Sequence, residues 1–240
     1  MVRIVTDSTS DLTAEIATQL AITVVPLYVH FGDQTYRDGV DLTTEDFYRK
    51  LEQSKVLPTT SSPSPGDFAA VYDRLASETD EILTVTISSK LSAAYEAAAK
   101  AKELRKSKVR VEIIDSLSAI VGLGLIAIAA AKLALAGASL DEIIDITKSS
   151  IQRVDLRIAF DTLEYLKRGG RIGTAQAFLG SVLKLNPVLT IRNGTTEGVT
   201  RVHTRAKVID YLYDFAMSFP HVEEIAVEDA TTPDEAEMLV

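Results

Sequence analysis

The chain has 240 residues, 46% of them hydrophobic and 25% charged, with a formal net charge of −9; this suits a soluble globular protein of one large domain or two modest ones. It contains no cysteine, which excludes disulfides and thiolate metal sites. The acidic balance, without a dense Lys/Arg cluster, argues against nucleic acid as a partner, and His30, His203 and His221 lack metal-site spacing.

The first residues read directly into an apolar strand over 3–6, without a leader pattern. The turn Asp7-Ser8-Thr9-Ser10-Asp11 supplies capping chemistry for a helix over 12–20. Residues 22–31 are mostly apolar and β-rich, and Gly32-Asp33 followed by Tyr36 predicts a hairpin. Thr43-Thr44-Glu45-Asp46 opens a helix with Phe47 and Leu51 on one face. Then comes a run of hydroxyls, Thr59-Thr60-Ser61-Ser62-Pro63-Ser64-Pro65, in which Ser64 is placed to cap a helix and Pro65 to begin it. That helix carries Phe68, Val71, Tyr72 and Leu75 at helical spacing.

Residues 81–87 form a buried-type strand, and a second hydroxylic segment, Ser88-Ser89-Lys90-Leu91-Ser92, follows at its carboxyl end. Here Ser89 or Ser92 caps a helix running to about residue 106. A third strand over 109–114 ends at Asp115-Ser116. The repeated order of strand, polar loop and helix implies a parallel sheet covered on both faces, with ligands binding outside the carboxyl ends of the strands. Two helix starts facing each other would suit an anionic head group; the plainer reading is that these hydroxyls only cap helices.

Residues 117–136 are apolar nearly all round, so a helix there is buried. It is either a plain core helix or one whose small residues, Gly122, Gly124 and Ala127, leave room for a long aliphatic ligand. The run 119–131 is too short to span a bilayer and is closed by Lys132. A cytoplasmic protein without stable membrane insertion is expected. Another amphipathic helix runs from the cap at Ser139 to about 152, and the character changes near Arg153. Strands are expected at 156–160, 187–192, 198–203 and 222–227, with an Asn193-Gly194 hairpin between the second and third and a helix over 163–167 broken by Gly169-Gly170. The expectation is thus a parallel α/β domain over 1–153 and a smaller α+β domain over 154–240. Thr232-Pro233-Asp234-Glu235 opens a helix just before the end, so the second domain reads as truncated.

Four motifs in order, Val5-Thr6-Asp7-Ser8-Thr9-Ser10-Asp11-Leu12, Pro58-Thr59-Thr60-Ser61, Ser88-Ser89-Lys90-Leu91-Ser92 and Tyr165-Leu166-Lys167-Arg168-Gly169-Gly170-Arg171-Ile172, resemble the DegV family of bacterial fatty-acid-binding proteins over nearly the whole chain. The resemblance implies the DegV-like EDD fold and one long-chain fatty acid buried between two domains, with no other cofactor. It also implies a partner, a separate dihydroxyacetone-kinase-like fatty acid kinase to which the carboxylate is presented for acyl-phosphate formation. By this resemblance the ligand-binding residues are Thr60, Ser61, Ser92 and Ala93, with the Thr60 hydroxyl on the carboxylate. Ala93 stands where the family usually has glycine and Ser62 where it usually has glutamine, and a histidine that members carry near the head group is absent. Arg168, Arg171 and Arg201 form a cationic rim or a partner contact, or, more plainly, Arg168 and Arg171 sit at a glycine-closed helix end.

Enzyme readings fare less well. Asp7 and Asp11 are four apart, whereas a haloacid-dehalogenase-type phosphatase needs two aspartates two apart. There is no Gly-x-Ser-x-Gly elbow, and no Gly-x-Gly-x-x-Gly follows a strand. The chain offers hydroxyls without an evident base, so binding without turnover is expected. The alternative is an enzyme acting on a small phosphorylated metabolite, with Asp7, Thr60 and Ser92 at the helix starts.

Overall fold

Ile4, Val5, Ile82, Leu83 and Val85 are all almost completely shielded from solvent, as strands covered on both faces require. They belong to Arg3–Asp7 (β1) and Glu81–Thr86 (β6), the central pair of a four-stranded parallel sheet in a computed structural model that describes residues 1–179 and 185–240. Two compact units divide the chain, Met1–Arg153 and Val154–Val240.

In the first unit the parallel order is β2-β1-β6-β7, with Ile22–Val25 as β2 and Arg110–Asp115 as β7. Ile4 pairs with Ile22, and Ile82 with Val111. The sheet packs Val5, Ile82 and Val111 against Phe68, Tyr72 and Leu75 of Pro65–Leu75 (α3) and against the alanine face, Ala97, Ala98 and Ala101, of Ala94–Leu104 (α4). Ile120–Leu135 (α5) contacts β1 and β2, and Leu140–Arg153 (α6) contacts β6. In α5, Gly124 serves close packing. A Cβ on Gly124 would stand 2.5 Å from the Ser10 carbonyl oxygen in the 3-10 turn Ser8–Ser10, so the room at this position goes to the backbone of that turn. Ala14–Gln19 (α1) and Thr44–Gln53 (α2) start from Thr13 and Thr43, whose hydroxyls accept the N–H groups of Ile16 and Asp46.

The apolar stretch 22–31 divides at Pro26-Leu27 into two strands of different sheets. Tyr28–Phe31 (β3) leaves the parallel sheet and pairs antiparallel with Gln34–Arg37 (β4) and with Thr59–Ser61 (β5), in the order β4-β3-β5. Gly32, at φ 59°, makes the turn between β3 and β4. The first three residues of the first hydroxyl segment are thus a strand, where the sequence suggested only a polar segment ahead of a helix. Thr59 and Thr60 are β-branched, favour extended backbone, and find a ladder partner in β3.

The second unit is α+β: an antiparallel sheet β10-β9-β8 of Thr195–Val202, Asn186–Arg192 and Ile158–Ala159. Asn193 at φ 50° and Gly194 at φ 80° form the hairpin turn. At the irregularity between Gly198 and Thr200 a Cβ on Gly198 would lie 2.6 Å from the Phe178 ring, whose own Gly173–Phe178 3-10 turn packs on β10. Helices Glu164–Arg168 (α7), Arg205–Met217 (α8) and Pro233–Glu237 (α9) complete the described unit. The expected strand at 222–227 does not form. Val222 and Ile225 stay exposed, and no strand among the described residues pairs with the segment, so its backbone gains nothing from an extended ladder. Among the described residues no helix is long and apolar enough to cross a membrane.

Candidate ligand-binding site

Three polar turns gather at the carboxyl ends of the parallel strands and tie one another down. Asp7, at the end of β1, caps the Ser8–Ser10 turn, accepting from the Thr9 N–H at 3.1 Å and from the Thr9 hydroxyl, and takes the Ile87 N–H at 2.8 Å just beyond β6. Burial pushes its carboxyl above the usual aspartate range, against those three donors. Its oxygens are spent inside the fold, so Asp7 is a turn residue. Asp11 closes the same turn in the left-handed region at φ 50°.

After β6, the Ser88 N–H donates to the Ser118 carbonyl at 2.8 Å, and the Leu91 and Ser92 N–H groups turn back onto the Ser88 carbonyl. Neither Ser89 nor Ser92 holds the cap position of α4 as expected. The Ser89 hydroxyl donates to Asp115 Oδ2 at 2.6 Å, and its N–H to the same carboxylate, because β7 ends beside it. Asp115 Oδ1 also accepts the Leu117 N–H at 2.9 Å. Leu117, between this turn and α5, stands at φ 51°, and Ile120, the first residue of α5, at φ 50°; for the β-branched Ile120 that conformation is strained.

The first segment approaches from the antiparallel sheet. In β5, Thr60 lies opposite Val29 and Ser61 opposite Tyr28. Strand alternation therefore puts Thr60 and Ser61 on opposite faces. Ser61 Oγ is 2.9 Å from His30 Nε2, and His30 Nδ1 is 2.9 Å from Thr35 Oγ1. Thr60 is exposed on the other face. Ser64 then opens α3 with a reciprocal cap: its hydroxyl accepts the Asp67 N–H at 3.2 Å, and Asp67 Oδ2 accepts the Ser64 N–H at 2.7 Å.

The two segments meet one residue later. Ser62 Oγ lies 2.9 Å from Ser92 Oγ and accepts the Ala93 N–H at 3.1 Å, while Ser92 Oγ accepts the Ala94 N–H at 3.3 Å. The cap position of α4 is held by Ala93, whose methyl group cannot accept a hydrogen bond, and a serine 31 residues away takes its N–H. Ser92 and Ala93 are thus brought together with Ser62, which directly follows Thr60 and Ser61. The bridging part of Ser62 and the anchoring parts of Asp115 and His30 went unread in the sequence. The density of hydroxyls around Ser62 was its only local signal.

The three arginines lie in the second unit, each with a local contact. Arg168 pairs with Glu164 at 2.7 Å. Gly169-Gly170 closes α7 through Gly170 N–H to the Lys167 carbonyl and Arg171 N–H to the Leu166 carbonyl, with Gly170 at φ 73°. The Arg171 guanidinium reaches the Gly169 carbonyl, and that of Arg201 lies 4.5 Å from the centre of the Phe178 ring.

A parallel-sheet unit with hydroxyl-rich turns at its carboxyl edge, followed by a smaller α+β unit, defines the class of protein. Within it, the chain belongs to the DegV family: the model described as "Uncharacterised protein, DegV family" matches residues 1–240. A DegV domain-containing protein of Deinococcus radiodurans is 39% identical over 208 residues, covering 87% of this chain and 73% of that one. The structure of a fatty-acid-binding DegV family protein from Thermus thermophilus matches with a TM-score of 0.82 at 38% identity, over 90% of this chain and 77% of that chain. The Streptococcus pneumoniae fatty acid kinase (Fak) B3 protein, loaded with linoleic acid, shares the fold at a TM-score of 0.78 and 21% identity, over 91% of this chain and 78% of that chain.

Proposed function

We propose that this chain binds one long-chain fatty acid, with the carboxylate at Thr60, Ser92 and Ala93, and presents it to a separate fatty acid kinase. The observation that carries the reading is the junction of the two hydroxyl segments at Ser62 and Ser92, in a chain similar to the fatty-acid-binding Thermus protein. Thr60 supplies a hydroxyl from an exposed strand edge, and Ser61, held by His30, steadies that strand. Arg168, Arg171 and Arg201 are the cationic contacts for the rim or for the kinase.

The chemistry suits a fatty acid. Each buried methylene contributes about 0.8 kcal/mol, so roughly ten give about 8 kcal/mol before the cost of association. The tail therefore sets the affinity, and a few hydroxyl and amide donors set the orientation. A carboxylate that a kinase must reach needs an accessible mouth, and Thr60 and Ala93 are both exposed. The linoleic-acid-loaded Fak B3 protein, similar in fold, supports the kinase as partner.

Native mass spectrometry of the purified protein tests the reading. A co-purified long-chain acid is the expected result, and a bound sugar phosphate in its place would favour an enzyme of phosphorylated metabolites. Thr60→Ala is expected to weaken fatty acid binding or kinase-coupled turnover without lowering the unfolding midpoint. Unchanged binding and turnover would remove Thr60 from the site.

A further inference from the structure

Two hydroxyl oxygens at the junction each already accept a backbone N–H: Ser62 Oγ that of Ala93, and Ser92 Oγ that of Ala94. Each hydroxyl also carries one proton. One of these two protons lies in the 2.9 Å bond between them. The other has no acceptor among the described residues. The pair therefore keeps a single O–H for a further acceptor, on whichever of the two oxygens does not donate to the other.

Neither segment needs that bond to hold its shape. The turn after β6 is anchored by Ser88 on the Ser118 carbonyl and by Ser89 on Asp115. The start of α3 is anchored by the Ser64–Asp67 cap, and β5 by its ladder to β3. A side chain that joins two independently fixed elements at a ligand site is better placed to orient a donor than to support the fold.

We infer that Ser62 is a positioning residue for the carboxylate. Its hydroxyl covers the Ala93 N–H and shares one proton with Ser92, so that the pair, whichever oxygen keeps the other proton, gives the ligand one charge-assisted hydrogen bond. The inference rests on the fatty-acid reading and deepens it, because it assigns the preference for an acid over other lipids to a residue distinct from Thr60. A charged acceptor gains more from such a donor than a neutral one. The effect of Ser62 is therefore read in the choice between an acid and an alcohol of equal chain length.

Dissociation constants for palmitate and for hexadecanol, measured on the wild type, Ser62→Ala and Ser62→Thr, test the inference. The acid-over-alcohol preference is expected to fall about tenfold in Ser62→Ala. It is expected to return to the wild-type value in Ser62→Thr, which keeps the hydroxyl. The urea unfolding midpoint should fall slightly in Ser62→Ala, which loses two hydrogen bonds, and stay at the wild-type value in Ser62→Thr, with all three proteins fully folded under the binding conditions. An unchanged preference in Ser62→Ala would overturn the inference while leaving the fatty-acid reading standing. So would a gain in acid affinity, which would mean that Ser62 competes with the ligand for the Ala93 N–H. A wild type that binds neither lipid would instead overturn the fatty-acid reading, and the inference with it.

Discussion

The Ile87 N–H donates to Asp7 Oδ2 at 2.8 Å, so a fully buried carboxyl at the end of β1 ties down the exit of the neighbouring strand β6. Thr9 adds its N–H and hydroxyl to the same side chain. Asp7→Ala leaves these groups without their acceptor and is expected to cost about 3 kcal/mol, read from urea unfolding. Asp7→Asn keeps an acceptor for Ile87 and should cost less. The two variants also separate hydrogen bonding from charge. Burial raises the folded carboxyl above 3.8, so in the window above that value the folded state holds its proton better than the unfolded state. Wild-type stability therefore contains a contribution that is complete below that window and declines as pH rises through it. Asparagine has no such slope. The stability of Asp7→Asn relative to wild type should improve as pH rises above about 4; a constant difference would count against the shift.

Two helical glycines should respond oppositely to alanine. At Gly66, on the exposed first turn of α3, a new Cβ would meet only Ser64 Oγ, at an ordinary 3.5 Å. Gly66→Ala should therefore stabilise by about 0.5–1 kcal/mol through reduced backbone freedom in the unfolded chain. At Gly124 the same atom would stand 2.5 Å from the Ser10 carbonyl oxygen, a backbone group that cannot rotate aside. The clash outweighs the gain in helix propensity, and Gly124→Ala should destabilise by about 2 kcal/mol. Thermal melts of the two variants beside wild type decide both signs.

What was legible in the sequence divides by distance along the chain. The Ser64–Asp67 cap and the Asn193-Gly194 turn are complete within four residues, and both could be read directly. The parallel strands were readable too, because Ile4-Val5, Ile82-Leu83 and Ile113-Ile114 are apolar β-formers that each lead into a polar turn. The assignment of Thr59–Ser61 to a strand edge needed β3, about thirty residues earlier, as its ladder partner. The Ser62–Ser92 bond likewise spans thirty residues, and nothing local distinguishes Ser62 from the hydroxyls around it. Residues 222–227 show the converse: a β-rich segment does not become a strand unless another strand accepts its backbone. Helix α8 was readable but missed, since Thr204 caps it and Val208, Leu212 and Phe215 follow helical spacing.

Gly170 closes α7 in the left-handed region at φ 73°, where a Cβ is disfavoured by about 1 kcal/mol or more. Gly170→Ala should lower stability by about that amount, and Gly170→Asn by roughly half, because asparagine tolerates this conformation better. Equal losses in the two variants would show that the backbone angle is not the cause.

Asp115 holds two turns with one side chain, accepting the Ser89 N–H and hydroxyl from the loop after β6 and the Leu117 N–H on the way into α5. Removing it frees both loops at once, while the Ser62–Ser92 bond depends on neither oxygen of Asp115. In Asp115→Ala, the Ser89 and Leu117 amides should exchange with solvent about tenfold faster or more, since each lost hydrogen bond is worth about 1–1.5 kcal/mol. The Ala93 amide, covered by Ser62, should keep more of its protection. The strained backbone at Ile120 adds to this contrast, because a conformation that surrounding bonds must enforce relaxes when one of them is lost. Exchange at Ile120 should therefore also rise. If all of these amides kept wild-type rates, Asp115 would not be the anchor of the site, and the turn after β6 would be held by Ser88 and Ser118 alone.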